Sequence, residues 1–539
     1  MNNERLGHIL SRQGLIDCQK LDFCLSVQKN NGHQKLGQVL CHYDFIDEIS
    51  VTKAIAYQVG WKVFEGDYIA DEVMVGLFGV EFLFERMVFP VKIEGETIFV
   101  LSKIDDTQTT DEINQRLNRV VSFYVGLESS LFKALESLSK NRINNAVAQE
   151  RLISPTEERL NEWFEECLTL AISQSASDVH IEPSQKAIEI RLRIDGILSF
   201  YQTLPLKYLP RLVNIIFHKA EVTISDFGHF HDARFSYQQL NRQIDVRVSH
   251  IPSIHGSTLV LRLLDKSKTV MTLSDLGYGA RSWKLIQESL KKPEGITLIV
   301  GPTGCGKTTT LYAMLNYLKS IDCKIITIED PVEIQLPLMT QVQIHEKRGI
   351  SFGQAVRAFL RHDPDIILIG EIRDELTAQE ALRAAMTGHQ VFTTLHTNRS
   401  FDAILRLQDL GLPLTHMADH LSLIIAQRLV RKLCPICKQS ITLNRRTLAE
   451  GQIKYLNELE QKVFTTQGCN ACKNGYVGQT VVAELLPVDE SIGEFLSRQD
   501  LVGLKKFIKE SRYPTMVDDA RRLIANGTTS IVEAQRVLG

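Results

Sequence analysis

The sequence has no long apolar run, no imbalance of charge and little cysteine, and each shortage removes a class of function. No stretch approaches the roughly 18 consecutive apolar residues that a membrane-crossing helix needs. The start MNNERLGHIL lacks the charged and apolar regions of a signal peptide. The expectation is a chain that stays in the cytosol and reaches any membrane through partner proteins. Lys and Arg number 61 against 64 Asp and Glu, so no broad basic field invites direct nucleic-acid binding. Ten cysteines in 539 residues are too sparse for a disulfide scaffold and read as thiols or metal ligands.

What is present is an ordinary globular composition, 44% hydrophobic, long enough to bury several cores in roughly three or four domains. The first of these carries an internal repetition. RLGHILSRQGLIDCQKLDFCLSVQ (5 to 28) lies over KLGQVLCHYDFIDEISVTKAIAYQ (35 to 58). Leu6, Leu10, Leu21 and Leu25 answer to Leu36, Leu40, Val51 and Ile55, helical spacing on both sides of a break at Gly14 or Asp44. Each copy reads as helix, turn and helix. Residues 85 to 101 then alternate and predict a small sheet packed on those helices. The polar stretch Lys140 to Glu158 reads as a linker.

From about 160 to 265, strand-like runs such as AIEIRLRID alternate with polar turns, as in an α+β domain. From about 285 the rhythm changes. GITLIV, CKIITI, DIILIG and QVFTTL are short apolar strands, each followed by a turn and a helical stretch, the pattern of a parallel α/β sheet. The expected divisions are 1–145, 156–270 and 275–539.

The chemistry lies in the last of these. Gly301, Pro302, Thr303, Gly304, Cys305, Gly306, Lys307 and Thr308, followed by Thr309, fit G-x-x-x-x-G-K-[ST] between an apolar strand and a helical run. Glycines let backbone N–H groups curl around phosphate oxygens, and the helix N-terminus adds positive potential. Lys307 reaches the β and γ phosphates of a nucleoside triphosphate, and Thr308 can ligate Mg²⁺. Three more strands end in polar residues. Ile366–Ile369 runs into Gly370-Glu371, placing Glu371 as general base for the attacking water. Lys324–Ile328 runs into Glu329 and Asp330, which act through Mg²⁺ or its waters. Gln390–Thr394 delivers His396, whose imidazole would hydrogen-bond the γ-phosphate. A lone strand-end Glu or His is ordinarily structural; four strand ends converging on one edge favour a site.

Cys434-Pro-Ile-Cys437 and Cys469-Asn-Ala-Cys472 form two C-x-x-C hooks, and four thiolates suit tetrahedral Zn²⁺. The long gap between the hooks calls for an inserted helical hairpin around Arg445 to Val463. A redox C-x-x-C is the rival reading, but such motifs come singly near a βαβ unit.

Together these residues resemble the type II secretion and type IV pilus assembly ATPase family (GspE/PilB type). GPTGCGKT resembles its Walker A, TIEDPVE its aspartate box, DPDIILIGEIRD its Walker B and TGHQVFTTLHTN its histidine box. SDVHIEP, RLRIDG, DVRVSHIP and HGSTLVLRLL resemble the domain that precedes the core. The resemblance implies an α/β RecA-like P-loop core, a preceding α+β domain, an N-terminal helical-repeat domain and a tetracysteine zinc subdomain at 430–480. It implies that Arg234, Arg247 and Arg262 close over a nucleotide held by a neighbouring core, hence a homohexamer. It further implies ATP hydrolysis that drives pilin or pseudopilin assembly, beside an inner-membrane platform protein. HFHDAR departs from the usual PQDGR, Arg399 follows TN where an acid is usual, and Gln479 replaces an arginine. The N-terminal repeat resembles a domain that binds cyclic di-GMP, through Arg5, Leu6, Gly7, Gly14 and Gln28. Its second copy has Lys35 and Asp44 at the arginine and glycine positions, so a bare docking domain stays open beside it. A nucleic-acid translocase and a nucleotide-gated scaffold without catalysis are the alternatives to the motor.

Overall fold

Helical spacing, strict alternation and continuous apolar runs follow one another along the chain, and each becomes a different kind of layer. The computed structural model describes residues 5–30, 35–93, 96–102, 107–118, 120–135, 138, 155–222, 228–239, 242–265, 270–345, 349–444, 452, 454–456, 460–469, 471–511 and 513–539. They fall in two compact units, Met1–Asp265 and Lys266–Gly539. The N-terminal region and the α+β region thus share the first unit. Of the expected linker, only 155–158 lies within the described residues.

The chain opens with four helices, Leu6–Arg12, Cys18–Asn30, Leu36–His42 and Glu48–Val59. The turns between members of each pair hold Gly14 at φ 70° and Asp44 at φ 53°. Aspartate is among the few side chains that tolerate this left-handed geometry, which is how it stands in for glycine. Ile9, Leu10, Val39, Leu40 and Val51 are buried between the helices, whereas Leu25 is exposed. β1 (Lys62–Val63), β2 (Val88–Ile93), β3 (Glu96–Leu101) and β4 (Ser122–Val125) follow, in the order β1-β4-β3-β2. The sheet expected within 85–101 is therefore the β2–β3 hairpin of a larger one.

The rest of this unit is a six-stranded antiparallel sheet. Its strands are β5 (Asp178–Pro183), β6 (Ala187–Ile194), β7 (Ile197–Pro205), β8 (His231–Gln239), β9 (Arg242–Ser253) and β10 (Gly256–Asp265), in the order β7-β6-β5-β10-β9-β8. Period-two alternation gives it one apolar face: Ile188, Ile190, Leu192 and Ile194 are buried, with Glu189, Arg191 and Arg193 on the other side. The helices Leu160–Ser173 and Leu209–Lys219 contribute Phe164, Leu168, Leu212 and Ile216 to the same core.

The second unit is built on β11 (Gly295–Val300), β12 (Ile325–Glu329), β13 (Met339–Gln343), β14 (Ile366–Ile369), β15 (Gln390–Leu395) and β16 (Leu421–Leu433). A ribbon, β17 (Lys438–Asn444) and β18 (Glu460–Thr466), precedes β19 (Tyr476–Pro487). The seven-stranded sheet runs β13-β12-β14-β15-β11-β16-β19, parallel except where β19 meets β16. Every residue of β11, β12, β14 and β15 is buried, because helices cover both faces. The expected helical insert is overturned for its described end: Glu460–Thr466 is a strand paired in register with Lys438–Asn444. Ile441 and Val463 face each other there at strand spacing, a pattern that backbone pairing rewards and a helix does not. Residues 445–451 of that insert lie outside the described residues.

Candidate active site

β12, β14, β15 and β11 are neighbours in the parallel sheet, so their carboxyl ends open on one edge, where open α/β sheets bind ligands. A cavity of about 440 Å³ lies there. It is lined by Thr303 to Thr309 of the glycine loop, by Glu329 at the end of β12 and Asp330 after it, by Gly370 and Glu371 after β14, and by His396 after β15. Gly301 and Pro302 stand outside this lining and act from beneath the loop. Their carbonyls accept hydrogen bonds from Lys307 Nζ at 2.9 and 3.2 Å. Burial pulls Lys307 below the ordinary ammonium value, which readies it for an anionic partner.

Gly301 has φ 153°, and a Cβ on it would lie 2.5 Å from Cys305 Sγ and 2.7 Å from the Gln427 carbonyl oxygen. Only glycine lets the loop fold this tightly. The helix Lys307–Leu318 then starts with its free N–H groups directed at the loop, the arrangement that receives phosphate.

Glu371, 17% exposed, has one carboxylate oxygen 3.2 Å from His396 Nε2 and pairs through the other with Arg373. Arg373 also reaches Asp330 Oδ2 at 3.3 Å. The candidate base, the histidine and the aspartate-box acid are thereby joined through one guanidinium that the sequence reading missed, although it sits in the same GEIRD motif. Glu329 is buried, and its carboxylate accepts hydrogen bonds from Tyr312 Oη, from Thr327 Oγ1 at 2.6 Å and from Gln341 Nε2 at 3.2 Å. Tyr312 belongs to the helix that follows the phosphate loop, so Glu329 ties that helix to β12.

Arg234, Arg247 and Arg262 belong to the first unit and come together there. Arg262 is registered opposite Arg247, and Arg247 opposite Arg234, so the three form a row on the polar face of β10, β9 and β8. They line a cavity of about 670 Å³. Asp178 of β5 continues the row and accepts a bond from Arg262 Nε at 3.0 Å. Among the described residues Arg234 and Arg247 have no ion pair, so their charge is open to an anion.

The four cysteines Cys434, Cys437, Cys469 and Cys472 gather with all sulfurs within 4.8 Å of one another. Sγ distances are 3.9 Å for Cys434–Cys469, 3.7 Å for Cys437–Cys472 and 3.6 Å for Cys469–Cys472. Ligands about 2.3 Å from a tetrahedral Zn²⁺ stand about 3.8 Å apart, so the residues fit that ion. The Thr466 hydroxyl, 3.0 Å from Cys437 Sγ, draws this thiol below the ordinary thiol range. Thr466 escaped the sequence reading because nothing local marks it; it is registered opposite Lys438, next to Cys437.

Residues 154–536 match the model of the type II/IV secretion system protein family. A type IV pilus assembly ATPase PilB of Thermus thermophilus is 31% identical over 98% of the chain, and the match spans 65% of that protein's length. A type II secretion system protein E of Aeromonas hydrophila is 40% identical over 69% of the chain and 74% of its own length. Among solved structures, the Legionella pneumophila ATPase DotB superposes with a TM-score of 0.51 at 22% identity, covering 69% of this chain and 94% of its own. That likeness carries the fold.

Proposed function

The chain belongs to the type II/IV secretion system protein family, and from that premise we propose that it hydrolyses ATP to power pilin or pseudopilin assembly. The observation that carries the proposal is the shared sheet edge, where Lys307, Glu371 and His396 line one cavity beside the phosphate loop. In this reading the loop N–H groups and the N-terminus of Lys307–Leu318 hold the β-phosphate, and Lys307 exchanges its carbonyl partners for phosphate oxygens. Glu371 accepts a proton from the attacking water. His396, bonded to Glu371, orients that carboxylate and contacts the γ-phosphate. Arg373 releases Glu371 as the nucleotide enters.

Thr308 and Asp330 would hold Mg²⁺, both lining the cavity with hard oxygen donors. When bound, the ion neutralises charge between the β and γ phosphates. Arg234, Arg247 and Arg262 supply positive charge to the triphosphate of a neighbouring core, which calls for a ring, a homohexamer in our reading. The tetracysteine module holds Zn²⁺ and offers a platform to an inner-membrane partner. Among the described residues no helix is long and apolar enough to cross a membrane. We place the chain in the cytoplasm, held at the inner membrane by partners.

Equilibrium titration with Mg·ATP and with single-stranded DNA tests the reading. Lys307→Ala should weaken Mg·ATP binding at least about tenfold, the worth of a charge-assisted hydrogen bond. Wild type and variant that bind ATP equally would remove the site. Tight, salt-sensitive DNA binding would favour a translocase instead.

A further inference from the structure

β16 runs alongside β11 as far as the pairing of Val300 with Ala426 and then continues past it, beside the phosphate loop. The next two residues, Gln427 and Arg428, send their side chains to opposite faces. Gln427 is fully buried. Its Nε2 donates to the Cys305 carbonyl at 2.8 Å, and its Oε1 accepts from Tyr278 Oη at 2.8 Å and Thr310 Oγ1 at 3.2 Å. Arg428 works on the other side. Its Nη1 donates to the Gln427 carbonyl at 2.9 Å, and its Nη2 donates to Asn398 at both Oδ1 (2.9 Å) and the main-chain oxygen (3.3 Å).

Asn398 lies two residues beyond His396, in the short segment between β15 and the helix Ser400–Asp409. Before that segment, Thr394 Oγ1 donates to the Gly370 carbonyl at 2.7 Å, and the Leu395 carbonyl accepts from the Gly301 amide at 3.4 Å. After it, Glu484 Oε1 accepts from the Ser400 amide at 2.8 Å and the Ser400 hydroxyl at 2.7 Å. Between these, Arg428 alone among the described side chains holds Asn398. His396 is 52% exposed and, among the described residues, has Glu371 as its polar partner. Packing therefore does not fix its ring; the path of its backbone does.

We propose that Arg428 is a positioning residue: by clamping Asn398 it sets the segment that aims His396 at Glu371. The same guanidinium lies 3.2 Å from the place a Cβ on Gly301 would occupy. One planar, permanently charged group thus spans the first residue of the phosphate loop and the histidine segment. β11 and β15 stop pairing at Val300 and Leu395, and Arg428 joins the phosphate loop to the histidine segment beyond that point. This inference rests on the hydrolysis reading.

The test is a double-mutant cycle of steady-state phosphate release by the full chain, using wild type, Arg428→Ala, His396→Ala and the double variant. Asn398→Ala serves as a milder route to the same loss. Arg428→Ala and Asn398→Ala should lower kcat by roughly 10- to 100-fold, the cost of a small misplacement of a reacting group, with KM for ATP within about twofold of wild type. In the His396→Ala background, Arg428→Ala should cost nothing further. Losses that multiply in the double variant would overturn the proposal, as would a raised KM with kcat unchanged, which marks damage to the phosphate loop alone. A wild type without turnover would defeat the hydrolysis reading itself, and this inference with it.

Discussion

Glu533 is fully buried and holds two guanidinium groups. Its oxygens accept from the Arg431 backbone N–H at 3.1 Å and Nη2 at 2.7 Å, and from Arg536 Nε at 2.8 Å and Nη2 at 2.6 Å. Burial opposes its charge, but the bonds from Arg536 and Arg431 prevail and take the carboxyl from 4.5 down to about 2. That difference is worth about 3 kcal/mol of stability. Removing one partner of a buried ion pair independently costs about 3 to 5 kcal/mol. Glu533→Gln should therefore weaken the docking of the helix Ile531–Leu538 by about 3 kcal/mol at pH 7. Because the folded value lies below the unfolded one, the stabilisation is complete above pH 4.5 and is lost as pH falls through about 2. At pH 3 the difference between wild type and variant should have shrunk to about 1.4 kcal/mol. Native-state hydrogen exchange of the amides in Ile531–Leu538, measured for both proteins at each pH, reads this directly. A cost below about 1 kcal/mol at pH 7, or the same cost at pH 7 and pH 3, would refute the reasoning.

Three further outcomes follow from the sites. The purified chain should carry one zinc, and Cys437→Ser or a strong chelator should release it and expose the amides of β17 and β18; full protection of that ribbon without metal would count against a structural ion. Arg247→Ala should lower kcat by about a thousandfold. Arg193→Ala, in the same row but outside the lining of the arginine cavity, should stay within about fivefold of wild type, and equal losses in the two would remove the distinction between Arg193 and the arginines that line it.

Much of the site could be read in the sequence because its parts are local. The glycine loop, Glu371 and His396 each follow a short apolar strand, and strand, turn and helix are recognisable within a dozen residues. That the four strand ends share an edge also followed, since parallel strands all present their carboxyl ends to one side. The two cysteine hooks met as their spacing implies. What escaped were the residues that hold these parts in place. Arg428, Tyr312 and Thr466 act on partners 30, 17 and 29 residues away, through contacts that no local pattern announces. Arg373 is two residues from Glu371, but an arginine near a strand-end Glu reads as a solvated charge until the structure shows that, half exposed, it also reaches Asp330. Of the helical insert expected around Arg445 to Val463, residues 460–463 are strand instead, because they pair in register with Ile441 to Asn444, which lie outside that span and before it.

The measurement that bears most directly on the account is steady-state phosphate release from Mg·ATP by the assembled wild type and by Glu371→Gln. Nucleotide binding should be measured on the same samples. The account predicts measurable turnover in the wild type, reduced about 100-fold or more in the variant, with ATP binding retained. Equal turnover in the two would contradict the assignment of Glu371, and two proteins that bind ATP without hydrolysing it would leave a nucleotide-gated scaffold in place of a motor.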